Sequence, residues 1–470
     1  MHKLMVGAVS AAMLSTSALA QAPLRPDQQS FLALFREMVE TDTSITTGSC
    51  TALADKIEGH LKAGGFPAEA ITRFAVPEHP KEGGIVAILP GTSNTLKPML
   101  LLGHLDVVVA KREDWTRDPY KFIEENGYFY GRGTADMKGM DAIWVDMLIR
   151  FKQEGYKPKR TIKLALTCGE ETTWAFNGAK WLAENRRDLI DAEFALNEGG
   201  GGRTDGKGKL VQQGIHVGEK AVANFRIEAT NPGGHSSTPI RDNAIYELAD
   251  ALVKLRDFDF PLMLNDTTRA YFGKLGPTRN DEMGKAMTAI VSAPAGSAEA
   301  RAAENVLNTD RTFHSTLRTT CVATLLEGGH ANNALPQRAA VNVNCRIFPG
   351  VAAEAVRVAL EKVIADPRMT VTSLDKRTLA QPPALTPQIL EPVEKLMAKY
   401  FPGVPLVPMM SPGATDGVYL EAVGIPSYGP PGLYGDPDGN GVHGLNERRS
   451  VAAVYKGRDF LTDLVKAYAQ

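Results

Sequence analysis

The chain has little that would suit it to a charged polymer or a bilayer. Lysine and arginine (52) do not outnumber aspartate and glutamate (54), leaving a formal net charge of −2. No basic excess therefore points to nucleic acid or to an anionic membrane surface. Beyond the N-terminus no apolar run approaches the roughly 20 residues that a membrane-spanning helix needs. Cysteine is scarce, and four residues (Cys50, Cys168, Cys321, Cys345) are too few for a disulfide-built scaffold. Cys321 and Cys345, both in strand-like runs of one region, are the pair to test for a bridge; isolated buried thiols are the expectation for most of the four. Gly199–Gly202 are not followed by Lys-Ser/Thr, so they show no phosphate-loop spacing. Ser236 and Ser237 lack a G-x-S-x-G elbow, which argues against a serine hydrolase. There is no internal repeat and no low-complexity tract.

What is present describes a globular protein of two domains. The chain has 470 residues, 43% of them hydrophobic and 23% charged, too long for one compact core. Its first residues differ from the rest. Met1, His2 and Lys3 precede LMVGAVSAAML, and Ser17-Ala18-Leu19-Ala20 stands before Gln21. A basic start, a short apolar stretch and an A-x-A site read as a secretory signal peptide cleaved after Ala20, implying an exported, periplasmic or secreted protein. An uncleaved anchor is the alternative.

Residues 28–64 have the periodicity of amphipathic helices. GIVAILPG and PMLLLGHLDVVV read as strands, DAIWVDMLIRFKQEG as a helix, TIKLALTCGEE as a buried strand, GAKWLAENRRDLI as a helix and AEFALNEGG as a strand. Apolar strands alternating with helices predict an α/β layer with a mixed, largely parallel sheet. Near residue 216 the pattern changes. VANFRIEAT and AAVNVNCRIF alternate polar with apolar, as in a one-sided sheet, with helical stretches around them. The expectation is a discontinuous larger domain, residues 24–215 and 381–470, with a smaller α+β domain, 216–380, inserted in it. QPPALTP (381–387) would be the linker back, and 262–315 carries mixed signals that fit neither pattern.

Five islands of His, Asp and Glu lie where apolar strands end: GHLD (103–106), TAD (134–136), GEE (169–171), NEGG (197–200) and VHG (442–444). Ligands of α/β sheets gather at such strand ends. His104 and Asp106, two apart, project to one side, which suits a metal-binding imidazole oriented by a carboxylate. Glu170 and Glu171 are costly neighbours unless one binds a cation while the other handles a proton. Together the islands hold the inventory of a two-zinc hydrolytic site with its own base. Taken singly, each has a plainer account: a surface His, a helix-capping Asp, an exposed acidic turn.

GHLDVV, the stretch from Trp115 through YGRGTADMKG, GEE, NPGGHSS, GGHANNALP and GATDG occur in that order. From about residue 30 onward the chain resembles the zinc aminoacylase/carboxypeptidase-type metallopeptidases (the M-twenty family). It is closest in motif style to carboxypeptidase S-like and N-acyl-amino-acid hydrolase members. The resemblance implies two Zn²⁺ per subunit, with Co²⁺ or Mn²⁺ as substitutes. His104, Asp136 and Glu198 would hold one ion, and Asp136, Glu171 and His443 the other. Glu170 would be the general base, Asp106 the partner of His104, and the Asp136–Met137 peptide cis.

Carboxypeptidase S-like relatives place the terminal ligand at the Asp of D-E-G-G, where this chain has Asn197. An amide is a poor zinc ligand, so Glu198 takes the role. The inserted domain resembles the family's lid and dimerisation domain. His235 would stabilise an oxyanion in the partner's site, while Asn333 and Arg346 would hold the substrate's carbonyl and carboxylate. Thr415 and Asp416 lie near the site in relatives; His216, His314 and His330 match no ligand position. The implied activity is hydrolysis of an amide bond in a small substrate with a free carboxylate, of exopeptidase, carboxypeptidase or dipeptidase type. An N-acyl-amino-acid amidohydrolase is the nearest alternative and a non-catalytic metal-binding periplasmic protein a more distant one. Expected partners are a small peptide or N-acyl amino acid and a second copy of the chain through the lid.

Overall fold

The computed structural model describes residues 24–172, 176–374 and 382–470. The leader expected at 1–20 and Gln381 of the expected linker lie outside the described residues.

Two strands make the centre of the molecule. Met99–His104 and Ile162–Thr167 are parallel neighbours buried at every position. Both faces are covered, so the strands read as continuous apolar runs rather than as alternations. The pleat still sorts the side chains. Met99 and Leu101 enter a core with Phe31, Phe35, Trp144 and Phe460, whereas Leu100 and Leu102 enter one with Leu182, Leu189 and Leu420. The first core is built by helices Pro26–Glu40, Cys50–Ala63, Lys138–Gln153, Pro387–Tyr400 and Val451–Tyr468. Helices Gly178–Asn185, Arg187–Ile190 and Gly417–Ala422 cover the opposite face.

Around this pair the sheet grows to ten strands. It runs from Ile71–Val76 through His79–Leu89, Ile162–Thr167, Met99–His104, Phe194–Leu196, Ser427–Gly429, Leu210–Glu219 and Gly201–Thr204 to Tyr434–Gly435; Leu406–Ser411 also pairs with Leu210–Glu219. Its centre is parallel, with antiparallel strands on both sides. The fold is thus the α/β class expected, a large mixed sheet flanked by helices.

Leu210–Glu219 remains in the large sheet, and the next strand, Ala221–Thr230, belongs to a second one. That sheet is antiparallel, in the order Thr320–Gly328, Arg338–Ile347, Ala221–Thr230, Met369–Ser373. Ala223, Phe225, Ile227 and Ala229 face helices Ala244–Arg256 and Ala353–Ile364, while the alternate residues face outward. One packed face and one open face give the alternation seen in the sequence. A short ribbon, Gly234–His235 with Ala334–Leu335, projects from this unit.

Segment 262–315 is helical: Asp266–Leu275, Glu282–Ser292, Ala298–Leu307 and Arg311–Thr316. Phe272, Met287, Ile290, Leu307 and Leu317 form its core together with Val407, so it packs on the Leu406–Ser411 strand of the large sheet.

All four cysteines are paired. Cys321–Cys345, the pair to be tested, forms a bridge between adjacent strands, and Cys50–Cys168 is a second, which corrects the expectation of isolated thiols. These two are 118 residues apart and meet because helix Cys50–Ala63 packs beside His79–Leu89, the neighbour of Ile162–Thr167. Among the described residues no helix is long and apolar enough to cross a membrane.

Candidate metal centre

The parallel register brings the islands to one edge. His104 ends its strand opposite Thr167, and Leu101 stands opposite Leu196, so the loops carrying Glu170, Glu171 and Glu198 leave the sheet beside His104. Gly103 permits this crowding: a Cβ there would lie 1.9 Å from Asp141 Oδ1, so a larger residue would have to displace that buried carboxylate. Asp136 arrives from a turn before helix Lys138–Gln153, its peptide bond to Met137 cis, and His443 from the C-terminal loop.

One carboxylate lies between two imidazoles. Asp136 Oδ1 is 3.2 Å from His104 Nε2, and Asp136 Oδ2 is 3.1 Å from His443 Nε2. Glu171 Oε1 lies 2.9 Å from His443 Nε2, and Glu198 Oε1 3.7 Å from His104 Nε2. Donor atoms of His104, Asp136 and Glu171 fall within 4.8 Å of one another, as do those of His104, Glu170 and Glu198. Asn197 turns away, its Nδ2 donating to Thr415 Oγ1 at 3.2 Å. The carboxylate facing His104 is therefore that of Glu198.

Asp106 divides its work. Its backbone carbonyl accepts the Nδ1–H of His104 at 3.0 Å, which leaves Nε2 facing Asp136 and Glu198. Its carboxylate stands 3.8 Å from that nitrogen and instead accepts the amides of Glu170 (3.3 Å) and Glu171 (3.0 Å). The group that orients His104 is thus the main chain of Asp106, while its side chain holds the loop of the two glutamates.

The electrostatics show a site short of positive charge. Burial, reinforced by the Glu198, Asp416 and Glu171 carboxylates, pushes Glu170 up to about 10. Glu198 is raised by burial and by Asp136 and Glu171. Burial disfavours a charged His104, yet the carboxylates of Glu198 and Asp136 overcome it and hold the imidazole well above its usual value. Hydrogen bonds to Asp136 and Glu171 carry His443 to about 10. Asp136 is depressed because the two imidazoles outweigh its burial.

A surrounding layer fixes these candidate ligands, and part of it is invisible in the motifs. Glu447 is fully buried. Its Oε1 accepts the amides of Ala135 (2.8 Å) and Asp136 (3.0 Å), and its Oε2 accepts Arg132 Nη1 (2.7 Å) and the Gly133 amide (3.1 Å). Arg449 Nη2 donates to the Ala135 carbonyl at 2.6 Å. Asp416 accepts Asn177 Nδ2 (2.6 Å) and Thr167 Oγ1 (3.2 Å), and burial pushes its carboxyl to about 7. The signal for Glu447 was only its place four residues after His443, in a loop where a charge ordinarily faces solvent.

The residues expected from the smaller unit stand apart from these ligands. His235 and Asn333 are exposed on the projecting ribbon; His235 Nδ1 accepts the Ser237 amide at 3.2 Å, and the Asn333 carbonyl accepts the Ser236 amide at 3.1 Å. Among the described residues, no hydrogen bond or ion pair joins either one to the five candidate ligands. Arg346, half-buried near the end of Arg338–Ile347, lies in the field of Glu219, whose carboxyl accepts the Thr415 amide at 2.9 Å. His216 is buried behind Gly199 and is pushed down to about 4 by desolvation, consistent with a neutral packing residue.

Comparison with known proteins agrees with this architecture. A family model described as peptidase family M20/M25/M40 matches residues 100–467. The chain is 28% identical over 388 residues to a probable carboxypeptidase S-like 2 of Dictyostelium discoideum, covering 80% of this chain and 72% of the relative. It is 27% identical over 414 residues to the human N-fatty-acyl-amino acid synthase/hydrolase PM20D1, covering 85% and 80%. In fold it is similar to the M20 family metallo-carboxypeptidase Sso-CP2 of Sulfolobus solfataricus, with a TM-score of 0.68 at 18% identity over 93% of this chain and 99% of that one. A match across most of the sequence, on a fold that gathers two imidazoles and four carboxylates at one edge of its large sheet, places the chain in the hydrolases of peptidase family M20/M25/M40.

Proposed function

We propose that this protein hydrolyses an amide bond in a small substrate bearing a free carboxylate, using two zinc ions. The observation that carries the reading is the Asp136 carboxylate, which offers one oxygen toward His104 and the other toward His443 while Glu170 lies beside them. Imidazole and carboxylate donors suit zinc, with Co²⁺ or Mn²⁺ as substitutes, and the excess of carboxylates over fixed positive charge fits two cations. His104, Asp136 and Glu198 would hold one, and Asp136, Glu171 and His443 the other. Bound there, the ions would supply an acidified water and polarise the scissile carbonyl.

The chain's own residues do the rest. Once bound cations offset the carboxylates that raise it, Glu170 would take the proton of the attacking water and return it to the leaving amine. Asp106 keeps that base in place through the two loop amides. Arg346 receives the substrate's carboxylate and Asn333 its carbonyl. The partner subunit's His235 stabilises the oxyanion. Closure of the smaller unit over the site would exclude water. Dimerisation through that unit is supported by its edge strand Thr320–Gly328, where Val322, Leu325 and Leu326 are 61–69% exposed. Export behind a cleaved leader is supported by the two disulfides.

A second substrate reading is favoured by the relatives. One is named for hydrolysis of N-fatty-acyl amino acids, so an N-acyl amino acid stands beside a di- or tripeptide as the substrate. The test is a metal-reconstituted screen of dipeptides and N-acyl amino acids, each with its carboxylate free or amidated. Turnover should require metal and the free carboxylate. Hydrolysis of both forms at equal rates would remove Arg346 from its role, and no turnover of any amide would sink the reading.

A further inference from the structure

The two disulfides occupy different surroundings. Cys321–Cys345 joins register partners in the smaller sheet. Cys50–Cys168 ties the first residue of helix Cys50–Ala63 to the residue between strand Ile162–Thr167 and the Gly169-Glu170-Glu171 turn. Its sulfurs lie within 4.8 Å of an oxygen of Asp106, the same side chain that accepts the Glu170 and Glu171 amides.

That turn is held on three sides. The Cys168 carbonyl accepts the Gly178 amide at 2.7 Å, and the Gly169 carbonyl accepts Asn177 Nδ2 at 3.1 Å. Asp106 holds the amides of the glutamates. The bridge supplies the third hold, which alone is covalent and alone reaches the helix at Cys50. A cleft lined by Thr43, Ser44, His79, Glu82 and Thr172 leads to Cys50, Cys168 and Asp106, so a small thiol has a way in.

We propose that the Cys50–Cys168 bridge is a positioning element for Glu170, and that opening it slows turnover without emptying the metal site. The inference rests on the hydrolase reading above. The chemistry is thiol–disulfide exchange with a dithiol. A dithiol thiolate attacks one sulfur, the protein S–S bond breaks, and the second dithiol sulfur displaces the first from the mixed disulfide. The dithiol leaves as its own disulfide, having lost two electrons and two protons, and the protein gains both as two thiols. Unbonded thiols separate to contact distance, which moves Cys168 and, two residues on, the base. A displacement of about an ångström is enough for a roughly hundredfold loss of rate. Of the proposed ligands only Glu171 moves with the base; His104, Asp136, Glu198 and His443 stand on other segments, so one ion keeps all its ligands and the other two of three.

The test compares intact protein before and after reduction with a non-chelating phosphine, which opens the same bond, alongside Cys50→Ser and Cys321→Ser. The readouts are kcat, KM, bound metal, and hydrogen exchange of the Glu170 and Glu171 amides. Reduction should lower kcat about ten- to a hundredfold, with KM and metal content unchanged and exchange at the two amides faster. Cys50→Ser should show the low kcat from the start and no response to reductant, whereas Cys321→Ser should match the intact protein in rate and in sensitivity. Unchanged kcat and unchanged exchange on reduction, or a loss that follows metal release, would overturn the inference. Amide exchange needs no substrate: an oxidised enzyme with no turnover would count against the hydrolase reading, while exchange still decides whether the bridge holds the turn. Should Cys50→Ser fail to fold, reduction of the already folded protein gives the same decision.

Discussion

Replacing Glu447 by glutamine tests whether the outer layer governs the metal site. The wild-type carboxylate accepts four hydrogen bonds, two at each oxygen, with no solvent to replace them. Glutamine has one acceptor oxygen and one NH₂, so two of the four donors lose their acceptor in either orientation. Bonds to a charged donor are about twice as strong as neutral ones. The oxygen should therefore stay with Arg132 and the Gly133 amide, and the NH₂ should face the amides of Ala135 and Asp136. Each buried donor left unmet costs about 1–3 kcal/mol, and the neutralised partner leaves Arg132 partly uncompensated. These costs overlap, so the expected loss of stability is about 3–5 kcal/mol rather than their sum. The displaced group is the amide of Asp136, the proposed bridging ligand. Metal affinity should therefore fall about 10–100-fold, as for other residues that orient metal ligands. Urea unfolding of the metal-free protein measures the first quantity and competitive chelator titration the second. A variant within about 1 kcal/mol of wild type and with unchanged metal affinity would refute the reasoning, because it would mean the turn is held without Glu447.

Other outcomes follow from the same geometry. Glu170→Gln should lower kcat by about 10²–10⁴-fold while metal analysis still finds two ions per chain; substantial residual turnover would remove Glu170 as the base. Glu219 is buried and pushed up to about 8, mainly by desolvation. The folded state thus holds its proton more tightly than the unfolded chain, so its contribution to stability is present below about pH 4.5 and is lost as pH rises toward 8. Glu219→Gln, which keeps an acceptor for the Thr415 amide, should stabilise the protein at pH 9 by a few kcal/mol and change little at pH 4; equal effects at both would contradict the assignment. If the chain dimerises through its smaller unit as proposed, wild type should sediment as a dimer and Leu326→Lys on the exposed edge strand as a monomer with lower turnover; a monomeric wild type or an unchanged variant would refute that interface.

How much of this was legible in the sequence depends on the range over which each feature is determined. Strand Met99–His104 could be read because its apolar run is local, and the two-residue spacing of His104 and Asp106 places both on one side of whatever strand they occupy. The helices of 262–315 also carried local signals. Asn265, Asp281, Ser297 and Asp310 each stand one residue before a helix and cap it by accepting a backbone amide. What was missing was the surface their apolar faces cover: Val407, some ninety residues beyond the last of those helices, completes that core.

The same argument separates ligands from the groups that hold them. A metal ligand must be a particular residue at the end of an element, so its type and the preceding pattern together betray it. A supporting carboxylate needs only to reach unpaired donors, and those come from wherever the chain returns. Glu447 is opposed by donors at 132–136, and Cys50 by a sulfur at 168. Asp106 was legible as a partner of His104, yet the spacing that revealed it could not show which of its atoms would do the work. In the folded chain the carbonyl serves the imidazole, which frees the carboxylate for the Glu170–Glu171 amides. That exchange of roles brings ligand orientation and base placement to one residue. Asp106→Asn should accordingly disturb kcat more than metal affinity, since the carbonyl survives the substitution and the second acceptor oxygen does not.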